Sequence, residues 1–349
     1  MGNPKICIVY TGGTIAMVPN SRGELRPPDD PREFLSIAPE LSKIVDFDFV
    51  PLMNKDSTNM VPADWTDIAK FISEKISEDR YYGFVVAHGT DTMHFTAAAL
   101  SFALGRNLNV PVVLTGAQTV PTVLHGDARV NLLRACKVAI EDIAEVVIAF
   151  GDFVFRGSRT QKKDERRFDA FESPAIYPIA DITENILIHP TARRRKKLTE
   201  DINLLEKFDD GIVQIGLIPG LHPHTVMPLL HGDCNGVVLQ SFGAGNVPDW
   251  GEYGFGDFIG RASENGIPVV ITSQFPANST NNSNYEPGLK AVRAGAIPTG
   301  NMTSSAATVK FRWVLAQADD LLSNASCSER VKKVQELMGQ VFVDEMDVL

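Results

Sequence analysis

Three short polar clusters hold the residues of this sequence whose types and spacing could carry out chemistry. They are Thr11-Gly12-Gly13-Thr14, His88-Gly89-Thr90-Asp91 and Thr115-Gly116-Ala117-Gln118. Each cluster follows an apolar run, rich in β-branched residues, that is typical of a buried strand. Ligands of open α/β sheets bind in the crevice beyond the C-terminal ends of the strands. The convergence of the three clusters at such ends therefore predicts a ligand site.

The first two clusters contain the parts of a hydroxyl nucleophile site. Gly12 and Gly13 permit a sharp turn and a close approach of the backbone to a ligand, and Thr14 then places a hydroxyl at the tip of the loop. The second cluster opens a helix, where Thr90 or Asp91 could simply cap the N-terminus. Backbone N–H groups at this position could also face a developing oxyanion, and Asp91 could accept a substrate ammonium. The capping and catalytic interpretations are compatible.

A threonine hydroxyl is a weak nucleophile and needs a base. Thr14 is internal, so an N-terminal amine is not available, and a lysine whose pKa is lowered by burial or by a neighbouring cation is a candidate. Lys162 and Lys163 lie in a loop after the fifth predicted strand, although two loop lysines taken alone are ordinarily surface residues. His222 and His224 lack a further ligand at a telling spacing. Because dinucleotide, P-loop and G-x-S-x-G motifs are also absent, we expect no metal and no cofactor.

The elements that must position these clusters alternate between strand-like and helix-like patterns. Five strands are predicted in the first half of the chain, at residues 5–11, 46–52, 83–88, 110–115 and 145–155. Helical patterns lie between them, at residues 62–76, 92–104 and 126–140. This alternation predicts a parallel sheet in an α/β domain.

The pattern breaks near residue 190 and then resumes. Residues 191–210 are highly charged, and their basic run at 193–197 could bind nucleic acid, although a solvated linker agrees better with the net charge of -10. Strands are predicted again at residues 212–217, 236–240 and 268–272, and helices at 225–230, 257–264 and 306–321. We therefore predict two α/β domains, a larger N-terminal one (1–190) with a mostly parallel sheet and flanking helices and a smaller C-terminal one (211–349), joined by a charged linker (191–210).

Composition limits the partners and the compartment. The net charge of -10 over 349 residues argues against nucleic acid or an anionic membrane as the main partner. No apolar run approaches the roughly 18 residues of a membrane span, and the N-terminus shows no signal-peptide pattern. The four cysteines are too widely spaced for a metal or redox motif. We expect a cytoplasmic protein with free thiols.

Three segments together resemble the bacterial-type L-asparaginase family. They are residues 10–16 (YTGGTIA), residues 86–93 (VAHGTDTM), and residues 159–162 continuing to 168–174 (FDAFESP). The YTGGT segment and residues 51–53 (PLM) are most similar to the cytoplasmic type I branch. The similarity covers nearly the whole chain and is weaker over the linker and the C-terminal domain. It implies hydrolysis of the side-chain amide of L-asparagine to L-aspartate and ammonia by a homodimer or homotetramer.

The resemblance implies a role for each matching residue. Thr14 would attack the amide carbon and form an acyl-enzyme, and Thr90 would hold or activate the hydrolytic water with Lys162 as its basic partner. Asp91 would bind the α-ammonium of the substrate. Further substrate contacts would come from Ser57 on the α-carboxylate, from Gly89, and from Ala117 near the amide. Lys162 is preferred to Lys163 only because it lies nine residues before Phe171, as in the family pattern.

One departure from the family concerns the mobile lid after the nucleophile, which carries a tyrosine in the family. Residues 18–30 (VPNSRGELRPPDD) contain no tyrosine, and Glu24 stands about where it is expected. Either the lid aligns differently, or Glu24 replaces the phenol, or acylation is impaired. The departure bears on rate, substrate range and pH dependence more than on the fold.

Two further classes of function stay open. A glutaminase or another amidohydrolase of the same fold, including an amidotransferase component that acts on a glutaminyl-linked substrate, would use the same clusters. The acidic charge and the lack of an added N-terminal domain weigh against the amidotransferase. A non-catalytic amino-acid-binding homologue is suggested by the missing lid tyrosine, and the joint presence of Thr14, Thr90, Asp91 and Lys162 weighs against it.

Overall fold

The computed structural model describes residues 3–26, 28–196, 201–275, 280, 285–322 and 326–347. The chain divides into two compact units, residues 1–206 and 207–349. The boundary falls inside the segment that we predicted as a linker, and the exact domain limits stay predictions. Both units are α/β, as predicted.

The N-terminal unit contains twelve strands and three α-helices within its described residues. The strands are β1 (Lys5–Gly12), β2 (Val18–Pro19), β3 (Leu25–Arg26), β4 (Asp46–Lys55), β5 (Gly83–Ala87), β6 (Val112–Thr115), β7 (Val146–Phe150), β8 (Phe153–Arg156), β9 (Gln161–Lys162), β10 (Phe171–Glu172), β11 (Ala180–Ile182) and β12 (Ile186–Ile188). The helices are α1 (Pro62–Ser77), α2 (Met93–Leu104) and α3 (Ala128–Val138). Short 3-10 helices cover Thr14–Ala16, Pro31–Ile37, Pro39–Lys43, Ser57–Asn59 and Gly157–Arg159.

The main sheet has eight strands in the order β12-β11-β8-β7-β6-β5-β1-β4. Strands β4, β1, β5, β6 and β7 run parallel, whereas β8, β11 and β12 are joined through antiparallel pairs. The prediction of one continuous strand over 145–155 is wrong. The chain turns back at Gly151, whose φ of 58° suits glycine, and β7 pairs with β8 as a hairpin.

Both faces of the parallel strands are covered. Ile6 and Ile8 of β1 belong to the same apolar cluster as Leu132 and Ala135 of α3. Cys7 and Val9, which point to the opposite face because side chains alternate along a strand, are also fully buried. Each such side chain contributes roughly 1.5–3 kcal/mol when buried. The C-terminal ends of β1, β5 and β6 are therefore held rigidly next to one another.

The C-terminal unit is built on a smaller, fully parallel sheet. Its strands are β13 (Ile212–Gly216), β14 (Gly236–Ser241), β15 (Val269–Ser273) and β16 (Ile297–Pro298), in that order across the sheet. Its helices are α4 (Pro223–Val226), α5 (Gly256–Glu264), α6 (Glu286–Arg293), α7 (Ser304–Leu321) and α8 (Cys327–Gly339), with 3-10 turns at Met227–Leu230 and Gly251–Tyr253. The sequence patterns did not predict α6, α8 or β16.

The described part of the basic run is bound to the N-terminal unit. The Arg193 amide donates to the Glu145 carboxylate at 2.8 Å, and the Arg195 guanidinium donates to the carbonyls of Tyr82 (2.7 Å) and Glu141 (3.1 Å). The Arg193 guanidinium lies 3.9 Å from the same carboxylate, so both cations have partners within the fold. Lys197, at the end of the run, lies outside the described residues. No helix in the described ranges is both long enough and apolar enough to cross a bilayer.

Candidate active site

The loop that follows β1 needs its two glycines. Gly12 and Gly13 have φ angles of 110° and 90°, which only glycine adopts readily. A Cβ atom on Gly13 would lie 2.3 Å from the Gly89 nitrogen, and one on Gly12 would lie 2.2 Å from the Lys55 carbonyl oxygen. Three loops therefore meet backbone to backbone, and Thr14 emerges at their junction. Its side chain is half-buried.

Lys162 lies against the second cluster. Its Nζ donates to the Thr90 hydroxyl at 2.9 Å and to Asp91 Oδ1 at 2.6 Å. The Lys162 side chain is 13% exposed, whereas that of Asp91 is 59% exposed. The ammonium is thus largely enclosed, and the carboxylate stays accessible from solvent.

The β9–β10 hairpin determines which lysine faces the site. Lys162 is paired with Phe171 and Gln161 with Glu172, and successive side chains of a strand point to opposite faces. Lys163 accordingly points elsewhere, and its Nζ lies 3.3 Å from Asp169. The structure thus places the predicted lysine beside Thr90 and Asp91, and its neighbour beside a different carboxylate.

Gln118 is a site residue that the sequence analysis did not single out. Its Oε1 accepts a hydrogen bond from the Thr90 hydroxyl at 3.1 Å, and its Nε2 donates to the carbonyls of Asp164 (3.2 Å) and Arg167 (3.3 Å). The Thr90 hydroxyl therefore accepts from Lys162 and donates to Gln118. The signal was present, because Gln118 ends the third polar cluster.

Ser57 stands at the third loop of the junction. It opens the 3-10 helix Ser57–Asn59, which Asp56 caps by accepting from the Thr58 amide. The Ser57 carbonyl accepts from the Thr92 hydroxyl at 2.7 Å. A Cβ on Gly89 would lie 2.5 Å from Ser57 Oγ, so this contact also requires glycine.

The three loops and the Lys162 hairpin enclose a cavity of 330 Å³. This volume lies near the lower end of the range for small-molecule sites, which suits a ligand the size of an amino acid. The lining combines hydroxyl, amide, acidic and basic side chains, and consists of Gly13, Thr14, Asp56, Ser57, Gly89, Thr90, Asp91, Gln118, Lys162, Glu165 and Arg166. A cavity of 730 Å³ in the C-terminal unit is larger, but no hydroxyl nucleophile lines it.

Two predicted residues do not line this cavity. Ala117 is buried and is not among the residues that line the cavity. Glu24 is exposed on the β2–β3 hairpin, where its carboxylate accepts from the Asn20 side-chain amide at 2.8 Å. The Glu24 amide also donates to Asn20 Oδ1, so the two residues close the tip of the hairpin on themselves.

Two histidines near the site are neutral at pH 7. Burial lowers the pKa of His88 to about 4, and burial together with the charge of Lys162 lowers the pKa of His94 to about 4. His88 Nδ1 lies 2.7 Å from the Gly89 carbonyl, which can only accept. Nδ1 therefore carries the proton and Nε2 accepts from the Thr96 hydroxyl, so that His88 braces the Gly89–Thr90 turn.

Known families match both units of the chain. Residues 5–194 match the family model described as "Asparaginase, N-terminal", and residues 212–323 match "Glutaminase/Asparaginase C-terminal domain". L-asparaginase 1 of Escherichia coli K12 is 34% identical over 99% of this chain and 100% of its own length. The D subunit of the glutamyl-tRNA(Gln) amidotransferase of Pyrococcus abyssi is also 34% identical, over 92% of this chain and 74% of its own length.

Solved structures agree with these sequence matches. The thermostable L-asparaginase from Thermococcus kodakarensis superposes with a TM-score of 0.86 at 29% identity, covering 98% of this chain and 99% of that one. L-asparaginase I from Vibrio cholerae gives a TM-score of 0.85 at 32% identity, covering 99% and 100%. The predicted resemblance, including that to the type I branch, is confirmed. On its sequence, its fold and both family models, the chain belongs to the asparaginase family of amidohydrolases.

Proposed function

We propose that this chain is an L-asparaginase that hydrolyses the side-chain amide of L-asparagine through Thr14. The observation that carries the proposal is the Lys162 ammonium, which donates to both Thr90 and Asp91 in the cavity that Thr14 lines. This arrangement joins a hydroxyl nucleophile, a second hydroxyl with a basic partner, and a carboxylate for a substrate ammonium. The cavity is of a size suited to one amino acid.

Substrate recognition follows from the charges around the cavity. Asp91 uses Oδ1 for Lys162, and its side chain is exposed enough for the other oxygen to accept from an α-ammonium. Ser57 lines the same cavity, and we assign it to the α-carboxylate. Held at both of these groups, the substrate directs its side-chain amide toward Thr14.

In the first half of the reaction, Thr14 Oγ1 forms a bond to the amide carbon. The carbonyl oxygen becomes an oxyanion, which backbone N–H groups at the turn leading into α2 stabilise. As the tetrahedral intermediate collapses, the C–N bond breaks and the proton from Thr14 leaves with the nitrogen as ammonia. An aspartyl ester of Thr14 remains.

In the second half, water hydrolyses this ester. Thr90 orients the water, and Lys162 is its basic partner: the ammonium gives one proton toward Thr14 Oγ1 and takes up the proton that the water passes to Thr90. Gln118 contributes by holding the Thr90 hydroxyl from the side opposite to Lys162. The C–O bond to Thr14 breaks, Thr14 recovers its proton and L-aspartate leaves.

The experiment that tests this proposal is ammonia release from the purified chain, with L-asparagine and L-glutamine titrated separately. We expect saturable release with L-asparagine, and a loss of at least about a thousandfold in kcat for Thr14→Ala, the scale typical of the removal of a nucleophile. Thr14 is half-buried at a loop tip, so Thr14→Ala should keep the wild-type melting temperature. Full activity in a folded Thr14→Ala protein would refute the nucleophile assignment.

A second candidate is a glutamine-directed amidohydrolase. It is favoured by the 33–34% identity to amidotransferase D subunits, which equals that to the asparaginase of Escherichia coli. A kcat/KM for L-glutamine above that for L-asparagine would select it. Ammonia release from neither amino acid by a well-folded sample would favour another amide substrate or a binding protein.

The expected assembly and location are also part of the proposal. We expect a cytoplasmic homodimer or homotetramer, by analogy with the family. Light scattering coupled to gel filtration measures the assembly, and fractionation of cells that express the full chain measures the location.

A further inference from the structure

The lid after Thr14 (residues 18–30) is held on each side by a buried residue, which we call a foot. The β2–β3 hairpin is exposed from residue 21 to residue 25. On its N-terminal side Met17 is buried, and on its C-terminal side Pro28 is buried. The Met17 amide donates to the Thr14 carbonyl at 3.1 Å, so the first foot is tied directly to the nucleophile.

A chain of two hydrogen bonds reaches the second foot. The Tyr10 hydroxyl lies 2.9 Å from Asn54 Oδ1, and Asn54 Nδ2 donates to the Pro28 carbonyl at 3.2 Å. A carbonyl can only accept, so the amide nitrogen of Asn54 must face Pro28. The amide oxygen then faces Tyr10, and the phenol must donate. Both partners of Asn54 are thus determined.

Tyr10 is a fixed point in the core. It is fully buried on β1, four residues before Thr14. Its ring packs against Phe34 and Phe49, with centroids 5.7 and 5.9 Å away. Phe34 belongs to the 3-10 helix Pro31–Ile37, which follows the lid directly. Burial raises the pKa of Tyr10 to about 12, so the phenol keeps the proton that it donates.

We propose that Asn54 is a positioning residue that fixes the C-terminal foot of the lid to Tyr10, and thereby to the strand that carries the nucleophile. The inference rests on the proposed function and on the family resemblance, which implies that the segment after Thr14 is a mobile lid. Because both feet are then held in place relative to β1, the hairpin closes by rotating about two fixed points. When one foot is released, the open lid explores more conformations, and closing it over the substrate becomes entropically less favourable.

The substitution that tests this role is Asn54→Asp. Aspartate has nearly the same shape and keeps an acceptor for Tyr10, but it faces the Pro28 carbonyl with an oxygen instead of a donor. Asn107→Asp is the matched control, because Asn107 Nδ2 also donates to a backbone carbonyl, that of Asp201, at 3.4 Å. Tyr10→Phe removes only the first bond of the chain.

The rate at which trypsin cleaves the hairpin measures how firmly the lid is held, and this measurement does not depend on catalytic activity. Arg22 is exposed at the tip of the hairpin and is followed by Gly23, whereas Arg26 is followed by a proline that blocks cleavage. We expect cleavage after Arg22, followed by mass spectrometry, to be about three to ten times faster in Asn54→Asp, the factor that corresponds to loss of one net hydrogen bond. Tyr10→Phe should give a smaller increase, and Asn107→Asp the wild-type rate.

The catalytic efficiency should fall in the same variant in which trypsin cleavage becomes faster. We expect kcat/KM for L-asparagine to fall by about three- to tenfold in Asn54→Asp, with the melting temperature close to that of Asn107→Asp. A wild-type rate of nicking after Arg22, or an equal increase at cleavage sites throughout the chain, would overturn the proposal. A chain that lacks asparaginase activity but shows the expected nicking would refute the proposed function and leave the tether standing.

Discussion

Replacing Lys162 by methionine separates the catalytic from the structural interpretation of this site. Methionine has about the same length and keeps the apolar stem, but it removes the ammonium that donates to Thr90 at 2.9 Å and to Asp91 at 2.6 Å. If Lys162 is the basic partner of Thr90, its loss removes proton transfer, which typically contributes about 10²–10⁴-fold. We therefore expect kcat for L-asparagine to fall by roughly 10²–10⁴-fold.

The effect on stability should be much smaller. The Asp91 carboxylate is 59% exposed, so water solvates it once its partner is gone. Ion pairs with such an exposed member contribute at most about 1 kcal/mol. Lys162→Met should therefore unfold at a urea concentration close to that of the wild type. A large loss of activity in a stable protein is the combination that a purely structural lysine does not produce.

Lys163→Met is the matched control in the adjacent position. Lys163 is bonded to Asp169 away from the cavity, and both side chains are substantially exposed. We expect kcat within about twofold of the wild type and a stability change below about 1 kcal/mol. Steady-state ammonia release, measured by a coupled glutamate dehydrogenase assay, compares the three proteins. Equal losses in both variants, or a Lys162→Met protein that keeps about a tenth of wild-type kcat, would refute the reasoning.

Three further predictions concern neighbouring groups. Gln118→Leu removes the acceptor of the Thr90 hydroxyl and should lower kcat by up to about tenfold with little change in KM; unchanged steady-state kinetics would exclude the orienting role. Glu24→Gln should leave the pH–rate profile unshifted, because Glu24 is bonded to Asn20 outside the cavity; a shifted profile would show that its charge acts on the reaction. His88 and His94 have pKa values of about 4, below the usual 6.5, so the unfolded chain binds protons between these values and the folded one does not. The stabilisation that comes from keeping these histidines neutral should accordingly be complete above about pH 6.5. The free energy of unfolding should then fall toward about pH 4, by at most about 1.4 kcal/mol per pH unit for each histidine. A urea midpoint that stays constant over this window would contradict the burial argument.

The parallel core of the fold could be predicted from local patterns. Runs such as 83–88 and 110–115 are rich in apolar residues and are followed by glycine, and the structure has β5 and β6 there with every strand residue buried. The run 145–155 looked continuous because apolar residues lie on both sides of the Gly151-Asp152 pair, and only the antiparallel pairing of β7 with β8 shows the turn. Helices α6 and α8 are short or highly charged, and their apolar faces become evident only in the folded unit.

The sequence predicted those site residues that carry a reactive side chain and closely follow a predicted strand. Thr14 and Asp91 follow strands that end side by side, so their proximity follows from topology. Lys162 comes from a two-residue strand, whose register no local pattern specifies, and family resemblance supplied it. Gln118 was missed as an individual residue because its partners, Thr90 and two loop carbonyls, are distant in the chain.

The junction of three loops beside Thr14, two of which meet the others through glycine, also determines how this enzyme can diversify. At Gly12, Gly13 and Gly89 a single added carbon would collide with main-chain atoms or with Ser57. These three positions thus leave no room for side chains that selection could vary, and a library randomised there would consist mostly of misfolded proteins. New substrate preferences must instead arise in the walls, at positions such as Gln118 and Arg166. A laboratory evolution campaign should place its diversity at these walls and keep the glycine junction that holds Thr14 in place.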